Sequence, residues 1–301
     1  MHSDSLPPTV SRTIVVAALV GLGTLWGATI PLAKIAVSSG HQPMGLIFWQ
    51  LVFSAILLLF VTGARGKRPA LGPRYLRHYL AIGLLGTLLP NSFSYLCIAE
   101  LPAGVMAIIV ASVPMFALLF ALLFRLERLT PYRIIGVILG GSAVVVLIGP
   151  EASLPEPEKA LFVLVALIAP ACYGLEGCYL ARYTPPALDP AASLLGASTL
   201  GALLAAPLAL ATGSWVDLFT PWGKPEWALL ASSILHVAAY TGYIWLVSQA
   251  GVVFASQIAY IVTIAGVLIS ALALHEAYSG WVWAALGLMI TGLAIVQPRK
   301  R

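Results

Sequence analysis

Charge is scarce in this chain. Of its 301 residues only 16 are Lys or Arg and 11 are Asp or Glu, 9% in all, where soluble globular proteins carry about 25%. With 60% hydrophobic residues it has more apolar surface than a water-facing fold can hide, so the surplus needs lipid as its solvent. Cysteine is scarce too. Cys97, Cys172 and Cys178 all fall inside apolar runs, which suggests neither a disulfide framework nor a zinc site. Catalytic signatures are missing. His275-Glu276 lacks the second His of a zincin, and there is no Gly-x-Ser-x-Gly, no phosphate loop and no carboxylate pair at useful spacing. A membrane-embedded enzyme or receptor is therefore the weaker class, and neither cofactor nor metal is expected. The net charge of +5 does not point to nucleic acid, because the basic residues sit in short loops between apolar runs, where they set orientation. A cleavable signal is not expected either: Ile14 to Ala36 is too long for a signal h-region.

What is present is a series of apolar runs. A membrane span takes about 20 such residues, and ten spans are read: 14–36, 43–62, 79–99, 104–124, 132–149, 160–181, 190–211, 226–247, 252–273 and 281–297. Cytoplasmic placement of the N-terminus puts 13 of the 16 Lys and Arg residues on the inner side and leaves Lys34, Lys159 and Lys224 outside, as the positive-inside rule requires. Both termini are then cytoplasmic. Trp215, Trp222, Trp281 and Trp283 fall near span ends, where aromatic belts form.

The runs repeat. Adding 147 takes Trp26-Gly27 to Tyr173-Gly174, Pro43 to Pro190 and Ala103-Gly104 to Ala250-Gly251; Glu127 returns as Glu276 after 149, and Gly136 as Gly287 after 151. In both copies two glycines stand five apart, Gly136 with Gly141 and Gly287 with Gly292, and all four are expected at close helix contacts. A repeat of half the chain is far longer than that of a solenoid or propeller and suggests a transporter built of two related halves. The expected organisation is a cytoplasmic tail (1–13), a first five-helix repeat (14–149), an external linker (150–159), a second five-helix repeat (160–297) and a basic cytoplasmic tail (298–301). Five spans is an odd number, so the second repeat enters the membrane inverted.

Trp26-Gly27, the Ala103-Gly104 start, Pro114 in mid-helix, Glu127 in the turn and Gly136 and Gly141 after it, most of them repeated in the second half, make the chain resemble the drug/metabolite transporter superfamily, specifically its EamA-type members. It departs from that pattern where thirteen residues before Glu276 stands Thr263 rather than a proline, which leaves the second helix without a proline to kink it. The resemblance implies an all-α integral membrane protein of ten helices, with spans one to four and six to nine around the pathway. It also implies alternating access and transport of a small metabolite, nearest to amino-acid exporters of the aromatic type. Location in the bacterial inner membrane follows, with the bilayer and a small-molecule substrate as partners and a monomer as the expected state.

Residues for a substrate site are sought among the polar groups at span depth. Glu176 and Lys34 are the charged residues well within spans, and a charge there costs about 2.5–3.5 kcal/mol on insertion scales. Glu176 is a candidate ligand for a substrate amine, or a proton-coupling group; the structural alternative is pairing with Arg182. Lys34 lies near a span end and is expected to snorkel to the interface. His236, Tyr240 and Tyr243, with Ser233, share one face of the eighth span, and His236 is a second proton-coupling candidate. Asn91 and Tyr95, with Ser94 and Thr87, lie on the third span beside Pro90, a kink site; they serve either substrate or helix-helix bonding. Trp26 and Tyr173 offer ring faces to a ligand or pack beside their glycines. Gln257 and Tyr260 in the ninth span and Gln50 in the second are further candidates. These groups include no arginine cluster, which favours zwitterions or cations over phosphorylated substrates.

Overall fold

The computed structural model describes residues 11–148, 159–185, 188–250, 252–255 and 257–296. The linker, apart from Lys159, and most of both tails lie outside the described residues. Eight helices are long and apolar enough to cross a membrane: α1 (Arg12–Val37), α2 (Pro43–Ala64), α3 (Pro73–Glu100), α4 (Ala103–Leu123), α5 (Pro131–Ile148), α6 (Ala160–Tyr183), α7 (Pro190–Ala211) and α8 (Lys224–Ala250). Two shorter apolar helices follow, α9 (Ile258–Ala273) and α10 (Gly280–Val296), with one helical turn, Val252–Ala255, ahead of α9. Among the described residues there is no strand.

Helix starts follow local chemistry. Proline opens α2, α3, α5 and α7, where its missing N–H removes no intrahelical bond. The Asp189 side chain caps α7 by accepting from the Ala192 N–H at 3.0 Å. α3 begins at Pro73, ahead of the span expected from 79. A helix needs only its own hydrogen bonds to form, so it runs on past the apolar stretch with Arg74 and Arg77 exposed.

Three helices are interrupted, each close to a proline. α3 passes through a π turn at Leu84–Leu88, in which the Leu89 N–H reaches the Leu84 carbonyl, just before Pro90. α4 breaks at Ala111 and Ser112, before Pro114. α6 breaks at Leu167, before Pro170. Proline lacks the donor and clashes with the carbonyl four residues back, which weakens the ladder there, although Pro31 and Pro207 stand inside α1 and α7 without a break. Thr263, which stands where Pro114 has its counterpart, lies in unbroken helix with its hydroxyl on the Ala259 carbonyl at 2.8 Å.

The packing is symmetric under exchange of related helices. α1 packs against α8 and α9, and its counterpart α6 against α3 and α4. α2 packs on α7, and α5 on α10. The paired counterparts run in opposite directions. Gly45, at the start of α2, meets the Ser214 carbonyl just past the end of α7, and the Trp49 indole donates to the Val216 carbonyl at 2.8 Å. At the other end, Arg65 bonds Asp189, the cap of α7, at 3.0 Å. α4 is the interior helix: Val105, Ala107, Ile108 and Ile109 are all buried in the main hydrophobic core.

Gly136, near the start of α5, faces Gly292 and Val296, near the end of α10; a Cβ on Gly136 would lie 2.8 Å from the Gly292 carbonyl oxygen. The expectation of four contact glycines is corrected here. Gly141 and Gly287 face open space, and Gly140 joins the contact instead. Residues four apart share a helix face, whereas residues five apart are turned well away from it. A spacing of five therefore cannot place both glycines in one contact.

Candidate functional site

The repeated Trp-Gly and Tyr-Gly pairs place one aromatic side chain on each side of the bundle interior. In α1, Gly27 lies against the α9 backbone, where a Cβ would stand 2.7 Å from the Val262 carbonyl oxygen. In α6, Gly174 lies against α4, where a Cβ would stand 2.6 Å from the Ala117 nitrogen. Each glycine seats its helix, and the preceding residue turns about 100° away toward the interior.

Trp26 meets α8 there. Its ring lies edge-on to His236 at 5.7 Å, to Tyr243 at 6.1 Å and to Tyr240 at 6.4 Å between centroids. His236 and Tyr240 lie nearly parallel at 6.5 Å. These distances suit favourable quadrupole contacts, and the stripe expected on this face is one aromatic cluster. Ser233 does not join it: its hydroxyl is buried on the Leu229 carbonyl of its own helix at 2.8 Å.

Tyr173 meets α3 and α2 through an amide network. Its hydroxyl donates to Asn91 Oδ1 at 3.0 Å. Asn91 Nδ2 donates to Gln50 Oε1 at 3.1 Å, and the Tyr95 hydroxyl donates to the same oxygen at 3.0 Å. Gln50 is thus the common acceptor that fixes the orientation of Asn91, a role that its isolated place in the sequence did not reveal. Tyr95 is only 4% exposed and supports Gln50 from behind.

Glu176 follows Tyr173 by one helical turn. Its carboxylate lies against Gly86 in the π turn of α3. It lies near Tyr173 and near Tyr240 of α8 across the interior. Among the described residues no cation pairs with it. Arg182 instead lies over the Tyr183 ring at 5.7 Å. Tyr173, Glu176, His236 and Tyr240 are all half-buried. Gln257, exposed, and Tyr260, half-buried, stand at the start of α9, and both clusters are built without them. No three His, Cys, Asp or Glu residues gather as a metal site would require among the described residues.

Lys34 reaches toward the end of a neighbouring helix. Its ammonium donates to the carbonyls of Ile98, Ala99 and Leu101 at 2.7, 3.0 and 3.0 Å. These carbonyls lie at the C-terminus of α3, where orphan acceptors and the helix dipole both attract a cation. The next turn is held from the opposite side. Glu276 accepts from the Ala103 N–H at 2.8 Å and the Gly104 N–H at 3.2 Å, at the N-terminus of α4, and the Tyr278 hydroxyl donates to the same carboxylate. Gly104 leaves room for this ring, since the Tyr278 hydroxyl lies 2.2 Å from where a Cβ would stand. Glu127, the repeat counterpart of Glu276, is exposed and bonds Arg133 at 2.9 Å within its own turn. Both turns carry a residue at positive φ, Arg125 at 56° and His275 at 55°.

The EamA-like transporter family model matches this chain twice, over residues 13–149 and 160–297. An uncharacterised inner membrane transporter, YedA, of Escherichia coli (strain K12) is 26% identical over 289 residues, covering 94% of this chain and 90% of its own length. An uncharacterised transporter, YvbV, of Bacillus subtilis (strain 168) is 24% identical over 298 residues, covering 96% and 93%. A probable terminal-alkyne amino-acid exporter of Streptantibioticus cattleyicolor is 29% identical over 262 residues, covering 79% and 83%. A solved crystal structure superposes with a TM-score of 0.62 at 20% identity over 95% of this chain and 96% of its own, a likeness of fold. Two family matches cover nearly all of the helices, and so the chain belongs to the EamA-like transporter family of the drug/metabolite transporter superfamily, and is a membrane transporter rather than an enzyme.

Proposed function

We propose that this protein exports small metabolites, amino acids first, across the bacterial inner membrane by alternating access between two inverted five-helix repeats, residues 14–149 and 160–297. In this reading α9 and α10 complete a set of ten spans, and both termini are cytoplasmic. The observation that carries the reading is the set of polar and aromatic side chains that α1, α2, α3, α6 and α8 bring together. It offers one carboxylate with no cationic partner among the described residues, an ordered amide network and a cluster of aromatic rings. Glu176 receives the substrate ammonium, Trp26, Tyr240, Tyr243 and His236 receive the side chain, and Asn91 and Tyr173 orient it. Glu176 and His236 are the groups at which a proton can be exchanged. The antiparallel packing of α2 on α7 supports the inverted arrangement, and the name of the Streptantibioticus cattleyicolor relative supports the substrate class.

Counterflow in proteoliposomes tests it. Vesicles loaded with a mixed amino-acid pool are expected to take up labelled aromatic or aliphatic amino acids faster than empty ones. No stimulation by any amino acid sinks the substrate assignment. The unpartnered carboxylate among aromatic rings also favours a second reading, export of cationic drugs or polyamines with Glu176 as counter-charge, and a labelled polyamine in the same vesicles separates the two.

With the N-terminus inside, the clasp of Glu276 on α4 closes the outer end. Glu127, turned to Arg133, leaves the inner end in a different state. Replacing Glu276 by Gln removes the negative charge at the α4 N-terminus, worth about 0.3–2 kcal/mol, and shifts the equilibrium toward the outward-open form. In a chain with its three cysteines changed to serine, a cysteine introduced at Tyr243 is then expected to react severalfold faster with an impermeant thiol reagent added outside. An unchanged rate would mean that the carboxylate does not hold that end.

A further inference from the structure

We propose that Gly86 is a positioning residue: the missing Cβ at this place in α3 sets where the Glu176 carboxyl sits. The inference rests on the reading of Glu176 as the group that binds the substrate ammonium.

Pro90 has no N–H to offer the carbonyl four residues back, which is that of Gly86, and its ring crowds that carbonyl. The helix answers with the π turn at Leu84–Leu88, where the Leu89 N–H bonds the Leu84 carbonyl one residue further back than in an α-helix. Such turns are frequent at functional sites. Here Gly86 is brought face to face with α6. A Cβ at Gly86 would stand 2.3 Å from Glu176 Oε1, 2.7 Å from Cδ and 2.8 Å from Oε2. The three nearest atoms are thus the whole carboxyl group.

Gly86 differs in this from the glycines that seat helices. Gly27, Gly136 and Gly174 lie against main-chain atoms of a neighbouring helix, which cannot step aside. Gly86 lies against the free end of a flexible side chain, which can. Its backbone is not at positive φ, and alanine has the higher helix propensity. Nothing in the helix itself calls for glycine; the space that it leaves is filled by the carboxyl. A methyl group at this position therefore displaces the Glu176 carboxyl from its seat and leaves the packing of α3 on α6 in place.

The experiment is amino-acid counterflow by the full chain in proteoliposomes, measured across substrate concentration and pH for Gly86→Ala, Glu176→Gln, Glu176→Asp and the two double variants, with melting temperature followed for each. Gly86→Ala is expected to fold with an unchanged or raised melting temperature, to raise the KM for counterflow about ten- to hundredfold as a misplaced binding group does, and to alter the pH profile. In the Glu176→Gln background it is expected to add nothing further. Glu176→Asp, whose carboxyl is drawn back by one methylene, is expected to restore part of the flux lost by Gly86→Ala. Loss by the same factor in both backgrounds, or an unchanged KM and pH profile, overturns the inference. Should Glu176→Gln alone leave flux intact, the reading of Glu176 fails first; should Glu176→Gln lose flux while Gly86→Ala does not, only the positioning role fails.

Discussion

Replacing Glu176 by Gln is expected to lower counterflow about ten- to hundredfold. The amide keeps the size and shape of the side chain and loses only its charge. A hydrogen bond to a charged group contributes about 1.5–3 kcal/mol, and each 1.4 kcal/mol is a factor of about ten in affinity. The loss should be large here because no cation pairs with Glu176 among the described residues, so no protein group competes with the substrate ammonium for its carboxyl. The two roles given to this carboxylate predict different patterns. If it binds the substrate ammonium, KM rises and a high substrate concentration rescues flux. If it exchanges a proton, counterflow at equal pH on both sides persists while uptake driven by a pH gradient is lost. Unchanged flux at several pH values in both assays would remove both roles.

Valine at Gly27 or at Gly174 is expected to destabilise the protein by about 2 kcal/mol or more, within or above the range typical of overpacked cores. At Gly27 the added Cβ would stand 2.7 Å from the Val262 carbonyl oxygen and 2.9 Å from the Gly266 nitrogen. At Gly174 it would stand 2.6 Å from the Ala117 nitrogen and 2.9 Å from the Phe116 carbonyl carbon. In both places the obstacle is main chain of the facing helix, so the helices must separate. Gly21→Val serves as control on the same helix as Gly27, since nothing lies within 4 Å of a Cβ there. Melting temperature in detergent, with the yield of monodisperse protein, reads the effect. Comparable losses at 27 and 174 with none at 21 are the expected result; a variant at 27 or 174 as stable as the control would show that the contact is not a tight one.

These glycines show where sequence reasoning reaches and where it stops. The repeat of Trp26-Gly27 as Tyr173-Gly174 was legible because an aromatic beside a glycine is a local pattern, and the structure puts both pairs to the same use. Gly136 and Gly141 looked like an equally good pair, yet Gly136 and Gly140 make the contact and Gly141 faces open space. Repetition in a sequence does not say which face of a helix is covered. Lys34 teaches the same lesson. Its depth in a span marked it as unusual, and the three carbonyls that explain it come from Ile98, Ala99 and Leu101, about 65 residues away in the chain.

The sequence by itself determined the class of molecule. Scarce charge and long apolar runs require lipid as solvent, and in lipid a backbone must satisfy its own hydrogen bonds, so helices follow. It also singled out Glu176, Asn91, His236 and Tyr240, because a polar or ionisable group at span depth is costly enough to need a reason, and Trp26, because its pairing with a glycine is repeated. Only the tertiary structure decided what those groups do to one another. Gln50 became the common acceptor for Asn91 and Tyr95 because α2 lies beside α3. Gly86 became the seat of the Glu176 carboxyl because a π turn before Pro90 faces it toward α6. Glu276 became a clasp on Ala103 and Gly104 because a loop of the second half reaches the first. Each of these contacts joins residues from well-separated parts of the chain. Their directions are set by how the helices are rotated and spaced against each other, and packing of whole surfaces settles that.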